Sequence, residues 1–276
     1  LVEDNRIVAV GKSDDVTVPR KAAIFNVRGK TIYPGLIDVH EHSAHSTFEM
    51  QPQQNWELYS RLSFGVTTTH DPSNDTSSIF SGAEMYRAGL ALGPRTYSTG
   101  RILYAGQWTK YNTKISNVED AKFHIQRLKD AGAISIKSYN HPRRDIRQQF
   151  IKAAQDLGIM VMPEGGSKFQ HNINMVVDGH TGVEHSIPVQ HSYSDVSQLW
   201  GQTEVGYTPT FVVAYAGISG ENYWYQNTNV WENERLMAFV PEYLVVPRAV
   251  RRTMAPEHHY NHIGVAENAK KLRDNG

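Results

Sequence analysis

The sequence lacks cysteine altogether, which excludes disulfides and thiolate chemistry and says little about compartment. It lacks any apolar run of transmembrane length. It also lacks a charge of one sign. Lys plus Arg number 28 and Asp plus Glu number 28, so nothing suggests an electrostatic footprint for nucleic acid or an acidic membrane. No repeat, low-complexity tract or shift in composition marks a linker. The chain opens on Leu1, with neither an initiator Met nor a signal-like segment. What it does have is length and histidine. Its 276 residues suffice for one large α/β domain or two small ones, and several of its 13 histidines sit at predicted strand ends.

Residues 1 to about 32 read as short β segments separated by turns, with strands at Arg6–Gly11 and Ala23–Val27. So few strands bury no core by themselves. From Thr31 onward, strand and helix signals alternate, which implies parallel βα units. Strands are expected in the stretch 33–42 and at 66–71, 95–99, 133–139, 159–164, 182–185 and 207–213. Helices are expected at 56–63, 79–92, 117–131, 144–157, 172–177 and 196–203, with a long aromatic loop from Tyr215 to Trp231 and mostly helix from Glu257 to Asp274. That makes seven βα units and no eighth strand.

The organising stretch is Tyr33-Pro34-Gly35-Leu36-Ile37-Asp38-Val39-His40-Glu41-His42. As a strand, it turns Asp38, His40 and His42 to one face and Ile37 and Val39 to the other, under a helix. Two neutral imidazoles on one face of a strand end can bind one metal ion. The bland alternative is a pair of surface histidines. The C-terminal ends of parallel barrel strands are where such folds carry chemistry. Lys137 lies near the end of a buried strand, where a charge is costly and desolvation favours the neutral amine. Pairing with a barrel carboxylate is the rival role. His185 closes another strand and is the third strand-end histidine. Glu164, in Met162-Pro163-Glu164-Gly165-Gly166, can ligate zinc or a harder metal, or can orient a ligating histidine from behind; the two are evenly weighted. Arg143 and Arg144 can grip a substrate carboxylate or simply open a solvated helix. Tyr139 and Tyr215 can hydrogen-bond substrate from strand-end loops or serve as packing. The cluster His258-His259-Tyr260-Asn261-His262 reads as surface, and His45 is open to either role.

The run Pro34-Gly35-Leu36-Ile37-Asp38-Val39-His40-Glu41-His42 resembles the first-strand signature of the amidohydrolase superfamily of metal-dependent hydrolases. With Lys137-Ser138-Tyr139 and its paired arginines, Glu164-Gly165-Gly166 and the Glu184-His185 pair, it is similar to the imidazolonepropionase-like and prolidase-like branch. The nearest resemblance is to amidohydrolases joined to TolB-like β-propellers. The resemblance implies an α/β fold, a (β/α)8 TIM-type barrel lacking strand eight in this chain. Residues 1–32 would form part of a flanking β-sandwich and 33–276 a C-terminally incomplete barrel of a longer protein. It implies His40, His42, Lys137, Glu164 and His185 as metal ligands, with Lys137 carboxylated by CO2 and, with His185, catalytic. It implies Tyr139, Arg143 and Tyr215 as substrate contacts. The cofactor would be one or two Zn ions, with Mn or Fe as alternatives. Glu164 departs from the histidine usual at its place, which opens the number of metals. The Asp that the superfamily uses at the end of strand eight is not found. The implied activity is hydrolysis of an amide-type carbon–nitrogen bond, as in a dipeptidase or cyclic amidase, through metal-activated water. Alternatives are a catalytically silent ligand-binding or structural barrel and a lactonase or phosphotriesterase. The expected partners are a small-molecule substrate, a β-propeller in the full-length protein and further copies in a homo-oligomer. The expected compartment is periplasmic or secreted, otherwise cytoplasmic.

Overall fold

The computed structural model describes residues 1–48, 50–103, 112–139, 141, 143–214 and 217–276. The chain divides into two compact units, Leu1–Pro34 and Gly35–Gly276. In the first, β1 (Val2–Glu3) and β2 (Arg6–Ile7) form an antiparallel hairpin. The strand expected at Ala23–Val27 does not form, and Ile24 and Phe25 lie exposed. Two strands of two residues offer no apolar face for a third to join.

The second unit is mixed α/β. It runs β3 (Leu36–Asp38), α1 (Trp56–Ser63), β4 (Val66–Asp71), α2 (Thr76–Arg87), β5 (Arg95–Ser98), β6 (Ile102–Leu103), β7 (Asn112–Thr113), α3 (Val118–Asp130), β8 (Ser135–Ser138), α4 (Arg144–Leu157), β9 (Met160–Pro163), α5 (Phe169–Asp178), β10 (Gly182–Glu184), α6 (Ser194–Gly201) and β11 (Gly206–Thr208). Helices α7 (Gly220–Asn227), α8 (Glu234–Phe239), α9 (Glu242–Val250) and α10 (His262–Asp274) follow. The pairs β3–β4, β4–β5, β6–β7, β8–β9 and β10–β11 are all parallel. Thr181 joins β9 to β10, its N–H donating to the Val161 carbonyl and its Oγ1 accepting from the Val161 N–H. Strands β8 and β10 are buried along their whole length, as parallel strands covered on both faces must be. Among the described residues no helix is long and apolar enough to cross a membrane.

The helices that clamp these strands follow their apolar spacing. Helix α4 buries Phe150, Ile151, Ala153 and Ala154 and stops at Gly158, whose φ of 60° is the left-handed cap that glycine tolerates. With α3 it covers Ile136 and Val161. A second core gathers Met175, Val183, Ile187, Trp200 and Leu272 under α5, α6 and α10. Each such side chain contributes about 1.5–3 kcal/mol of burial. Arg147 is fully buried as well; its guanidinium donates to the His141 carbonyl at 2.6 Å and pairs with Asp178 at 3.4 Å.

Three further expectations are corrected. Ile37 and Val39 were expected under a helix, yet they are 64% and 50% exposed; among the described residues β3 is the edge of its sheet, with β4 as its one partner. The strand expected at 207–213 ends at Thr208. Pro209 has no N–H to continue a ladder, and Thr210 turns to a φ of 41°. The expected aromatic loop contains α7, and α8 and α9 follow, packed around Tyr225, Val245 and Ala249.

Candidate metal centre

Four of the residues singled out in the sequence meet where the parallel strands end. Lys137 is the third residue of β8, Glu164 follows β9, His185 follows β10, and His40 lies two residues beyond β3. Lys137 Nζ and Glu164 Oε2 are 2.7 Å apart. Glu164 Oε1 is 2.5 Å from His185 Nε2, and His185 Nδ1 is 2.6 Å from Thr210 Oγ1. The His40 and His185 rings lie 4.7 Å apart. The rival role weighed for Lys137, pairing with a barrel carboxylate, is the geometry present. The two oxygens of Glu164 engage Lys137 and His185, and Glu164 falls in one candidate ligand group with His40 and His185.

The local backbone places Glu164 by a close approach. A Cβ on Gly165 would lie 1.8 Å from the Glu184 carbonyl oxygen, so only glycine lets β9 turn here beside β10. Asn172 then clamps the turn, its amide donating to the Gly166 carbonyl at 2.9 Å and accepting from the Gly166 N–H at 2.8 Å. His185 itself adopts a φ of 67°, a conformation uncommon outside glycine.

His42 stands apart from this group. Regular strand structure ends at Asp38, whose carboxylate accepts the His40 N–H at 3.2 Å, so alternation no longer keeps His40 and His42 on one face. His42 is about half exposed, and its Nδ1 lies 3.1 Å from Asp71 Oδ1. The structure groups His40 with Glu164 and His185, one ligand atom from each lying within 4.8 Å of the others. Arg143 forks onto Asp145 at 2.6 and 3.1 Å and is largely exposed, the solvated helix-start arrangement. Arg144 pairs with Asp178 at 2.6 Å. Lys137 Nζ lies 5.8 Å from the Tyr139 ring centre, so Tyr139 borders the cluster. Tyr215 lies outside the described residues.

Two supporting residues carried no assignment from sequence. Glu184, fully buried, contacts His40 Nδ1 through Oε2. His70, at the end of β4, is 2.8 Å from Ser135 Oγ through Nε2 and 3.2 Å from the Val39 carbonyl through Nδ1. The signal was available: a charged residue inside a wholly buried strand, and a further strand-end histidine.

Electrostatics fit a cation. Burial pushes the Glu164 carboxyl up, but the His185 hydrogen bond and the Lys137 charge outweigh it and hold it below the usual carboxylate range. Burial lowers His40, against the Glu184 contact, which favours its protonated form. With Nδ1 held by Glu184, His40 Nε2 is buried and has no partner. An imidazole with a carboxylate on one nitrogen and an open lone pair on the other is the usual dressing of a metal ligand. The residues therefore fit a divalent ion at His40, Glu164 and His185. Glu184→Gln should weaken divalent-metal affinity by roughly 10–100-fold while the fold persists. A chelator-competition titration measures this, and an unchanged affinity would show that Glu184 does not set the His40 tautomer.

Sequence comparison finds no matching family model and no matching curated protein. The structure, by contrast, resembles several solved hydrolases. A Xaa-Pro dipeptidase with methionine bound in its active site aligns at TM-score 0.54 and 16% identity over 88% of this chain and 64% of its own. A bottromycin amidohydrolase aligns at 0.60 and 17% over 88% of this chain and 56% of its own. Molinate hydrolase aligns at 0.64 and 13% over 99% of this chain and 66% of its own. The chain thus has the α/β fold of these three solved proteins. It spans somewhat less than two thirds of the length of these three solved proteins.

Proposed function

We propose that this chain is the barrel portion of a metal-dependent amidohydrolase cleaving an amide-type carbon–nitrogen bond in a small molecule, a dipeptide or cyclic amide. The observation that carries this reading is the unpartnered His40 Nε2, backed by Glu184 and gathered with Glu164 and His185. A divalent ion held there, zinc in the first instance, supplies Lewis acidity that activates water near neutral pH and polarises a carbonyl oxygen. The chain's own residues do the rest. Glu184 holds the His40 tautomer, and Thr210 holds the His185 ring from its Nδ1 side. Glu164 holds Lys137 and His185 together. The dipeptidase and amidohydrolase among the structural neighbours support a carbon–nitrogen bond as the target.

Lys137 belongs to this proposal as a carboxylated residue. Its ammonium would first lose a proton to solvent; the neutral amine would then attack the CO2 carbon, forming the N–C bond and losing a second proton, so a cation becomes a carbamate anion. Glu164 is 2.7 Å away, so the carbamate would face a like charge. The modification is therefore expected when a divalent ion is bound and not in the metal-free chain. Tyr139, Tyr215 and Arg143 are the proposed substrate contacts. The Arg143–Asp145 pair is exposed to solvent and therefore weak, which lets a substrate carboxylate displace Asp145. A neighbouring β-propeller, a homo-oligomer and a periplasmic or secreted location complete the reading.

The test joins elemental analysis to an activity screen. The metal-loaded chain should hydrolyse one of N-acyl amino acids, dipeptides or hydantoins, with lactones as the carbon–oxygen comparison. His40→Ala/His185→Ala should lose one equivalent of metal and that activity. Equal metal content in variant and wild type would remove the proposed centre. Metal without turnover would make the chain a silent barrel, and turnover of lactones alone would move the reaction to carbon–oxygen bonds.

A further inference from the structure

We propose a second divalent-cation site, separate from the centre above, formed by Glu41, His45 and Asp71. Among the described residues these three are the other group whose ligand atoms lie within 4.8 Å of one another. Glu41 and His45 come from the segment between β3 and α1, and Asp71 is the last residue of β4. All three are buried, with exposures of 4%, 1% and 0%.

Two observations point to an occupant. His45 Nδ1 faces the Tyr86 hydroxyl at 3.3 Å, which leaves Nε2 buried without a partner. Glu41 Oε2 is engaged by Arg61 at 2.6 Å and by the Ser43 hydroxyl at 2.6 Å, which leaves Oε1 buried without a partner. A buried polar atom left unpaired costs about 1–3 kcal/mol, and two of them sit in one group. Charge points the same way. Asp71 accepts from the Ser73 N–H at 3.0 Å and from the Asn74 amide at 2.7 Å, and lies 3.1 Å from His42 Nδ1. Of the two buried carboxylates only Glu41 has a guanidinium against it, and a dication would offset the remaining negative charge.

Access and donor chemistry define the ligand. A cavity of about 280 Å³ bordered by Ser43, His45, Asp71, Ser73 and Asn74 reaches the group. One imidazole and two carboxylates suit zinc or manganese, with a further coordination position open to water. The ion would tie the β3–α1 segment to the end of β4. Through Asp71 it would also steady His42, whose ring is 5.2 Å from that of His40. The inference does not depend on the amidohydrolase reading.

The experiment uses the full chain, stripped of metal and titrated with Zn²⁺ alone. The His40→Ala/His185→Ala variant, which lacks the first centre, should still bind one equivalent of Zn²⁺. Adding His45→Gln, or separately Glu41→Gln, should weaken that binding by at least roughly tenfold. Adding His258→Gln, at an exposed histidine outside both groups, should leave it unchanged. Circular dichroism checks folding, and if His45→Gln fails to fold, Glu41→Gln decides. Absence of binding in the His40→Ala/His185→Ala variant, or binding that neither His45→Gln nor Glu41→Gln weakens, would overturn the second site while leaving the first untouched.

Discussion

Replacing Lys137 by Met is expected to lower the unfolding free energy of the metal-free chain by about 3–5 kcal/mol. Lys137 is completely buried, and its Nζ lies 2.7 Å from a Glu164 carboxylate that is itself 9% exposed. Removing the lysine head leaves Glu164 with the His185 contact at Oε1 and no partner charge at Oε2, so a buried anion loses part of its compensation. The cost arises from the stranded charge more than from the attraction of the pair, because desolvation offsets much of that attraction. The second substitution tests this account. Lys137→Met/Glu164→Met fills the same space with apolar side chains and should recover most of the lost stability, since apolar replacement of a buried pair is often neutral. Urea unfolding with a chelator present measures all three proteins. If Lys137→Met and Lys137→Met/Glu164→Met prove equally unstable, packing around residue 137 rather than the charge is responsible.

That pair also shows how far the sequence is readable. Lys137, Glu164, His185 and His40 could each be placed at a strand end because the apolar and β-branched runs before them are clear. Parallel strands then bring their ends together. His42 could not be placed, because strand alternation holds only while the chain stays a strand, and β3 stops at Asp38. Glu164 stayed open between ligand and orienting acceptor for a physical reason: which carboxylate oxygen meets which partner depends on the turn that Gly165 and Asn172 build. Glu184 and His70 were visible as residue types, but their partners, His40 and Ser135, lie far away in sequence. Helix α7 lies in a stretch whose aromatic residues read as loop, and the segment that holds α8 and α9, with Pro247 inside α9, carried no reading at all. What holds them is the tertiary cluster of Tyr225, Val245 and Ala249, with Asn233 capping α8 by accepting the Leu236 N–H at 3.0 Å.

His180 should make the chain lose stability as the pH falls from about 6.5 toward about 4. It is 1% exposed, held 3.0 Å from the Met175 carbonyl through Nδ1 and 3.3 Å from Ser138 Oγ through Nε2. Burial drives its pKa down from 6.5 to about 4; the Met175 carbonyl opposes this and the nearby Arg147 charge deepens it. The sign follows from proton counts. Between the two pKa values the unfolded chain binds a proton at this residue and the native chain does not, so acid favours unfolding. The contribution is absent above the unfolded pKa and amounts to about 2 kcal/mol between pH 7 and pH 5. His45, also lowered to about 4 by burial, adds in the same direction. Glu41, raised to about 6 by burial, works against both, because its native form takes up a proton first. His180→Gln isolates the single contribution, since an amide can donate to the Met175 carbonyl and accept from Ser138 without titrating. The variant is expected to be less stable than wild type at neutral pH yet to lose about 2 kcal/mol less on going from pH 7 to pH 5. Urea midpoints with chelator at the two pH values provide the comparison. Identical losses in the two proteins would show that His180 is already protonated in the native state, with Ser138 turned to accept from it.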